Sequence, residues 1–374
     1  MTTETVTENQ SYKVKPLRIQ WTRSHDTIKY NVPQVVYAEG TRGSGKGVLL
    51  ENFAMNYLSY GCAVLDLFGA VDAEGLAFLR APFIKDLRVL LLKGPSVDVK
   101  CDWDVMETSK LGLNDFYKYD LIISTRPLFV NKDSEYSSVG QVTELLYKRF
   151  SWTRIIFMLV REASSLWHSR LMISKRQTDV KSESVYMLRE SRHLGLALGL
   201  DSLKYTSIDA DIRVHFDYMF VKAHGIEGLN DDMRWLYSFF NPAWIQNMLS
   251  REFIVVSRRG PLGVGVCPWH SWHKLEGENI LKQLGFQIEY GEVLEEGEDK
   301  GNFSTVGDAE HAELIGLYID NNSVEKIAAL KQRSTATISK HIKKHNQAIE
   351  RSQFCAICKR ANGVSYATLA KRNV

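Results

Sequence analysis

The sequence predicts an α/β protein with a mainly parallel sheet and helices on both faces, followed by a small all-α domain. Three observations predict it. Short runs rich in Val, Ile and Leu alternate with helical patterns between residues 35 and 257. A glycine-rich loop, Gly40-Thr41-Arg42-Gly43-Ser44-Gly45-Lys46-Gly47, joins the first of these runs to a helical pattern. Near the C-terminus a polar, acidic stretch gives way to a basic segment with helical periodicity. Near-continuous apolar strands separated by helices belong to sheets covered on both sides, whereas one-sided sheets alternate apolar with polar residues.

At 374 residues, 44% hydrophobic and with a formal charge of +3, the chain has room for one large domain and one small one. The expected division is a disordered lead-in at 1–15, an α/β domain at 16–290, a flexible linker at 291–308, a helical domain at 309–352 and a basic tail at 353–374. No apolar run approaches bilayer length, and the first fifteen residues contain no apolar core segment. Neither a membrane segment nor a signal peptide is therefore expected. The five cysteines, Cys62, Cys101, Cys267, Cys355 and Cys358, are odd in number and scattered apart from the last pair. That usage argues for a cytoplasmic protein and against a disulfide framework.

In chain order, strands are expected at 35–38, 62–68, 89–92, 121–124, 155–160, 194–200, 218–221 and 253–257. The loop after the first strand carries the clearest chemistry. Gly40, Gly43 and Gly45 allow backbone angles that turn successive N–H groups toward a phosphate, and the following helix adds its positive end. Lys46 has the reach to grip the β and γ phosphates of ATP, so contacts are expected from Gly40, Arg42, Gly43, Ser44, Gly45, Lys46, Gly47 and Val48. Gly47 stands where a Ser or Thr hydroxyl normally meets magnesium. The grip on nucleotide is thus better supported than hydrolysis.

The run 155–160 ends in Arg161-Glu162, the layout of a strand that usually ends in Asp-Glu. Arg161 takes the place of the metal-facing aspartate, and Glu162 that of a carboxylate able to act as general base on water. A plain core strand followed by a helix beginning at Glu gives the same pattern. Asp66 offers a substitute carboxylate on the magnesium side, or an N-cap or turn role.

Further on come Leu188-Arg189-Glu190-Ser191-Arg192-His193-Leu194-Gly195-Leu196, then Asp201-Ser202-Leu203-Lys204-Tyr205, then Ile208-Asp209-Ala210-Asp211-Ile212-Arg213. Taken in order with the phosphate loop, these segments resemble the P-loop NTPase superfamily of hexameric DNA-pumping ATPases that includes FtsK and HerA. The Arg-Glu form resembles the divergent ATPases of archaeal mobile elements and viruses. The resemblance implies a RecA/FtsK-like sheet, ATP and Mg2+ as cofactors, double-stranded DNA as partner, and a homo-oligomer, with a hexamer among the options. It makes Lys46 the phosphate clamp and Glu162 the catalytic carboxylate, with Arg213, or Arg192, the residue that reaches a neighbouring subunit's nucleotide. Asp201 falls where such proteins commonly carry a glutamine that senses the γ-phosphate. Both arginines have surface ion pairing with Glu190, Asp209 or Asp211 as an alternative.

In the last segment a Ser-capped helix begins at Ser323, and Gln332-Arg333-Ser334 makes a turn into Thr335 through His345. This resembles a helix-turn-helix. Ile338 and Ile342 share one face, and Thr337, Lys340, Lys343 and Lys344 share the other; with Ser334 and Thr335 they form the expected DNA contacts. A small packing domain with a solvated basic face is the alternative. Two groupings have ligand chemistry, His341 and His345 with Cys355 and Cys358, and Cys267 with His270 and His273. Neither has a recognised finger spacing, and no metal site is assigned. Together these features predict an ATP-hydrolysing DNA motor of a mobile element or virus; the alternative is a catalytically weak, nucleotide-binding DNA regulator or scaffold.

Overall fold

The structure, a computed structural model, describes residues 14, 17–24, 28–68, 71–147, 154–169, 175–275, 277–291, 308–320, 322–331, 333–352, 355–358, 360–361 and 364–365. Apart from Val14, Gly291 and Asp308, the expected lead-in and linker lie outside them. The chain forms two compact units, Met1–Glu292 and Val293–Val374. Among the described residues no helix is long and apolar enough to cross a membrane.

The strands of the first unit are β1 (Arg18–Trp21), β2 (Val35–Glu39), β3 (Ala63–Phe68), β4 (Val89–Lys93), β5 (Val97–Lys100), β6 (Asp104–Glu107), β7 (Leu121–Ile123), β8 (Ile156–Val160), β9 (Leu196–Ser202), β10 (Tyr218–Val221), β11 (Glu252–Ser257), β12 (Leu262–Val266) and β13 (Gln287–Tyr290). Eleven of them join in one sheet, ordered β1-β12-β11-β10-β2-β9-β8-β3-β7-β4-β6. From β10 to β6 every pairing is parallel, while β10 with β11, β11 with β12 and β12 with β1 are antiparallel. β13 pairs with β5 in a separate two-stranded ribbon.

All eight expected strands form. The additional ones are short and mostly at edges: β1 alternates exposed with half-buried residues, and β12, Leu-Gly-Val-Gly-Val, is broken by glycines that read as turn. Alternating side chains of the central strands feed two cores. Val36, Ala38, Phe157 and Leu159 pack with Leu49, Leu50 and Phe53 of the helix Lys46–Ser59 on one face. Tyr37, Met158, Val160 and Leu198 pack with the helices Lys132–Tyr147 and Lys175–Glu190, through Val139, Val142 and Met187, on the other. Burial on both faces explains the unbroken apolar strands, and it leaves only the strand ends for polar chemistry.

The second unit packs the helices Asp308–Ile319, Val324–Lys331 and Thr335–Ser352 around Leu314, Ile315, Ile327, Ala328, Ile338 and Ile342. It is not purely helical. Residues expected as tail form a turn at 355–358 and a hairpin between Arg360–Ala361 and Val364–Ser365.

Candidate nucleotide site

Because β2, β9, β8 and β3 run parallel, their carboxyl ends meet along one edge. Register fixes which residues arrive there: Ala38 lies opposite Asp201, and Val160 opposite Leu200 and Phe68. The loop 40–47, Asp201 and the pair Arg161-Glu162 are thereby brought together.

The loop leaves β2 through Glu39, which is fully buried and accepts the Tyr205 N–H at 2.8 Å. Gly45 caps the helix Lys46–Ser59 in the left-handed region, with φ 85°. A Cβ at Gly45 would lie 2.3 Å from the Ser250 carbonyl oxygen. That oxygen is held by buried Lys222, whose Nζ donates to it at 2.7 Å. Burial pushes the Lys222 amine down to about 8. Only glycine satisfies both the angle and the space at position 45. Lys46 is itself buried and donates to the carbonyl oxygens of Gly40 and Thr41, at 3.0 and 3.1 Å. Ser44 Oγ is buried without a hydrogen-bond partner among the described residues. Arg42 is exposed and Val48 is buried. An ammonium group, an orphaned hydroxyl and a helix N-terminus of 14 residues form a cradle for phosphate, so the residues present fit ATP.

They do not fit a protein-held magnesium. A Cβ at Gly47 would lie 2.3 Å from Glu74 Oε1, so the place of the missing hydroxyl is taken by a carboxylate from a different segment. Arg161 is 2% exposed and holds that carboxylate at 2.9 Å, Asp66 at 2.9 Å and Glu51 at 3.5 Å. Glu51 also pairs with His273 at 2.8 Å, and that partner raises the imidazole's pKa against the lowering effect of burial. Burial raises the Asp66 carboxyl, with Arg161 opposing. Among the described residues the Asp66 side chain caps no helix; it accepts from Arg161 and anchors it inward. A guanidinium in this position consumes the three carboxylates that a divalent cation would use.

Glu162 stands at the surface of this cluster, half-buried, with φ 47° and ψ 48°. A left-handed glutamate costs about 1 kcal/mol and needs a restraint. Asp201 supplies it by accepting the Glu162 N–H at 2.6 Å. Burial pushes Asp201 up to about 7; Lys46 works against the rise and Glu162 adds to it. Asp201 thus titrates near neutrality beside a phosphate cradle. Its folded pKa is raised, so this residue favours the folded state at low pH, and the contribution is lost as pH rises through about 7. The same sign applies to an anionic ligand. ATP affinity is expected to fall by roughly tenfold between pH 6 and 8 as Asp201 ionises, and Asp201→Asn should flatten that profile to about twofold. Equal slopes for both proteins in a fluorescent-nucleotide titration would refute the assignment.

Arg213 pairs with Asp232 at 3.1 Å and lies over the Tyr205 ring at 4.7 Å, on the nucleotide edge through the Tyr205 contact to Glu39. Arg192 pairs with Asp217, whose other oxygen accepts the N–H of Val35 at the start of β2. It therefore lies at the opposite edge and does not share the site. Cys267, His270 and His273 do not converge as ligands: Cys267 faces the Val48 carbonyl, His270 stacks on Trp272 and His273 serves Glu51. Sequence reasoning missed Glu51, Glu74, Lys222 and Ser250. A signal existed for Glu51 alone, as an acid within the apolar pattern of a buried helix.

The deciding feature is the strand order. β2 carries the loop, β9 lies beside it, and β8 lies beyond β9, delivering Glu162 to the loop across one intervening strand. The fold is that of a P-loop NTPase. No protein-family model matches the chain, and no curated protein sequence matches it. Solved structures similar to this P-loop fold include the genome-packaging NTPase B204 of Sulfolobus turreted icosahedral virus 2 with ATPγS, at 11% identity over 62% of this chain and 96% of that one, with a TM-score of 0.36. Another is the pCW3 conjugation coupling protein TcpA with ATPγS, at 11% identity over 73% and 71% of the two chains, TM-score 0.40. A third is EccC of Thermomonospora curvata, ATPases 2 and 3 with a signal-sequence peptide, at 12% identity over 65% and 38%, TM-score 0.38. All three are P-loop ATPases of the FtsK/HerA type, the group that the motif order resembles.

Proposed function

We propose that this chain binds and hydrolyses ATP and uses the cycle to move double-stranded DNA, as an oligomeric motor in translocation, transfer or packaging for a mobile element or virus. The observation that carries the reading is Glu162, half-buried and restrained by Asp201 at the edge where the phosphate loop opens. In this reading Lys46 leaves the Gly40 and Thr41 carbonyls for the β and γ phosphates, and the loop N–H groups hold the remaining charge. Glu162 orients and deprotonates the attacking water. Arg213 would have to exchange Asp232 for a neighbouring subunit's nucleotide, and no step within one chain depends on it.

The DNA contact is assigned to the second unit. Thr335, Lys340, Lys343 and Lys344 are exposed on the helix whose Ile338 and Ile342 are buried. Ser334 caps that helix by accepting the Thr337 N–H at 3.1 Å, and its hydroxyl meets that of Thr337 at 2.9 Å. A row of lysines opposite an apolar face suits phosphates along a groove.

A second reading, a nucleotide-gated DNA-binding regulator or scaffold, is favoured by one observation: Arg161 and Glu74 occupy the places of both protein ligands to magnesium. Replacing Lys340, Lys343 and Lys344 with alanine separates DNA contact from the nucleotide site. The slope of log affinity for duplex DNA against log salt should become shallower by about 2 to 3, with ATP binding unchanged. An unchanged slope would remove the second unit from the DNA interface.

A further inference from the structure

His311, His345, Cys355 and Cys358 converge in the core of the second unit, all four buried, with one ligand atom of each within 4.8 Å of the others. The residues come from three places: His311 from the first turn of the helix Asp308–Ile319, His345 from the third helix, and the cysteines from the turn after it. His341, grouped with this set by sequence spacing, is replaced by His311. We propose that these four side chains form a structural zinc site.

The distances match the ion's demands. Cys355 Sγ lies 3.6 Å from His311 Nε2, and Cys358 Sγ lies 3.3 Å from His345 Nδ1. Tetrahedral zinc with Zn–S near 2.3 Å and Zn–N near 2.05 Å separates sulfur from nitrogen by about 3.5 Å. Each imidazole presents one nitrogen to the cluster. The other nitrogen of His311, Nδ1, lies 3.0 Å from His341 Nδ1, which makes His341 a positioning residue that fixes the tautomer of the ligand. Two sulfurs with two imidazoles select zinc over magnesium or calcium.

Charge and size point the same way. Binding converts two thiols to thiolates and releases two protons to solvent, so Zn2+ with two thiolates is neutral, as a buried site requires. Among the described residues the buried core of this unit consists of Leu314, Ile315, Ile327, Ala328, Ile338, Ile342 and the two cysteines. So small a core benefits from a metal cross-link. The link would pin the 355–358 turn and the first helix onto the helix that bears Lys340, Lys343 and Lys344.

The test is elemental analysis of the full chain, purified without chelator from zinc-supplemented medium. One zinc per chain is expected, falling below about 0.1 in a Cys355→Ser/Cys358→Ser double variant and remaining at one in Cys62→Ser. His341→Asn should keep the metal but weaken it about 10- to 100-fold in chelator competition. Because the double variant risks misfolding, the native chain is also loaded with Co2+ in place of zinc. A tetrahedral visible spectrum with a thiolate charge-transfer band supports the site. Absence of zinc from the native chain, retention of it in the double variant, or an octahedral cobalt spectrum would each overturn it.

Discussion

Arg161→Asp, which restores the acid that P-loop proteins usually carry at the end of this strand, is expected to leave the first unit largely unfolded at room temperature. Arg161 is the shared partner of Asp66 and Glu51, both fully buried, and of Glu74. Removing one member of a buried ion cluster costs about 3 to 5 kcal/mol, because the remaining charges stay buried without compensation. A fourth carboxylate adds repulsion to that loss, against a total stability of about 5 to 15 kcal/mol. Arg161→Ala should lower the melting temperature by about 10 °C or more. Arg161→Lys should fall between, since an ammonium keeps the charge but not the forked contact with Asp66 through Nε and Nη2. The measurement is thermal unfolding followed by circular dichroism. A melting temperature for Arg161→Asp equal to the native value would mean that the carboxylates are not held by this guanidinium.

The second large effect concerns Lys46→Ala, which should weaken ATP binding by about 10²-fold or more. The ammonium group, buried among loop carbonyls, can make two or more charge-assisted hydrogen bonds to phosphate, each contributing about 1.5 to 3 kcal/mol. The other cation of the loop, Arg42, is exposed, whereas Lys46 is buried at the loop carbonyls. Lys222 is committed to the Ser250 carbonyl behind Gly45. Calorimetric titration with a non-hydrolysable analogue reads this directly. Retained affinity would place the nucleotide elsewhere.

The fold was legible where physics acts locally. Apolar runs in the middle of the sheet have one solution, a strand buried on both faces, and all eight were readable from 35–38 to 253–257. The phosphate loop was readable because glycine and lysine at that spacing between a strand and a helix have few other uses. The unreadable part depends on contacts between segments distant in sequence. That Gly47 yields its space to Glu74, and that Arg161 is neutralised by Asp66 and Glu51, follows from the packing of a segment after β3 against the loop helix. His311 lies 30 positions before His341, so spacing alone grouped His341 with the two cysteines, whereas the packed helices bring His311 to them. β1, β5, β6 and β13 escaped notice because they are only four residues long and lie at sheet edges, where little is buried; β12 is paired on both sides, but its glycines read as turn.

The central claim, that Glu162 beside this loop supports ATP turnover although Arg161 and Gly47 replace the usual magnesium ligands, is tested most directly by steady-state ATP hydrolysis of the native chain and of Glu162→Gln, with and without long double-stranded DNA. Turnover that rises with DNA and falls at least about 100-fold in Glu162→Gln, with ATP binding intact, is the predicted result. No turnover in the native chain, or turnover indifferent to Glu162, would contradict it.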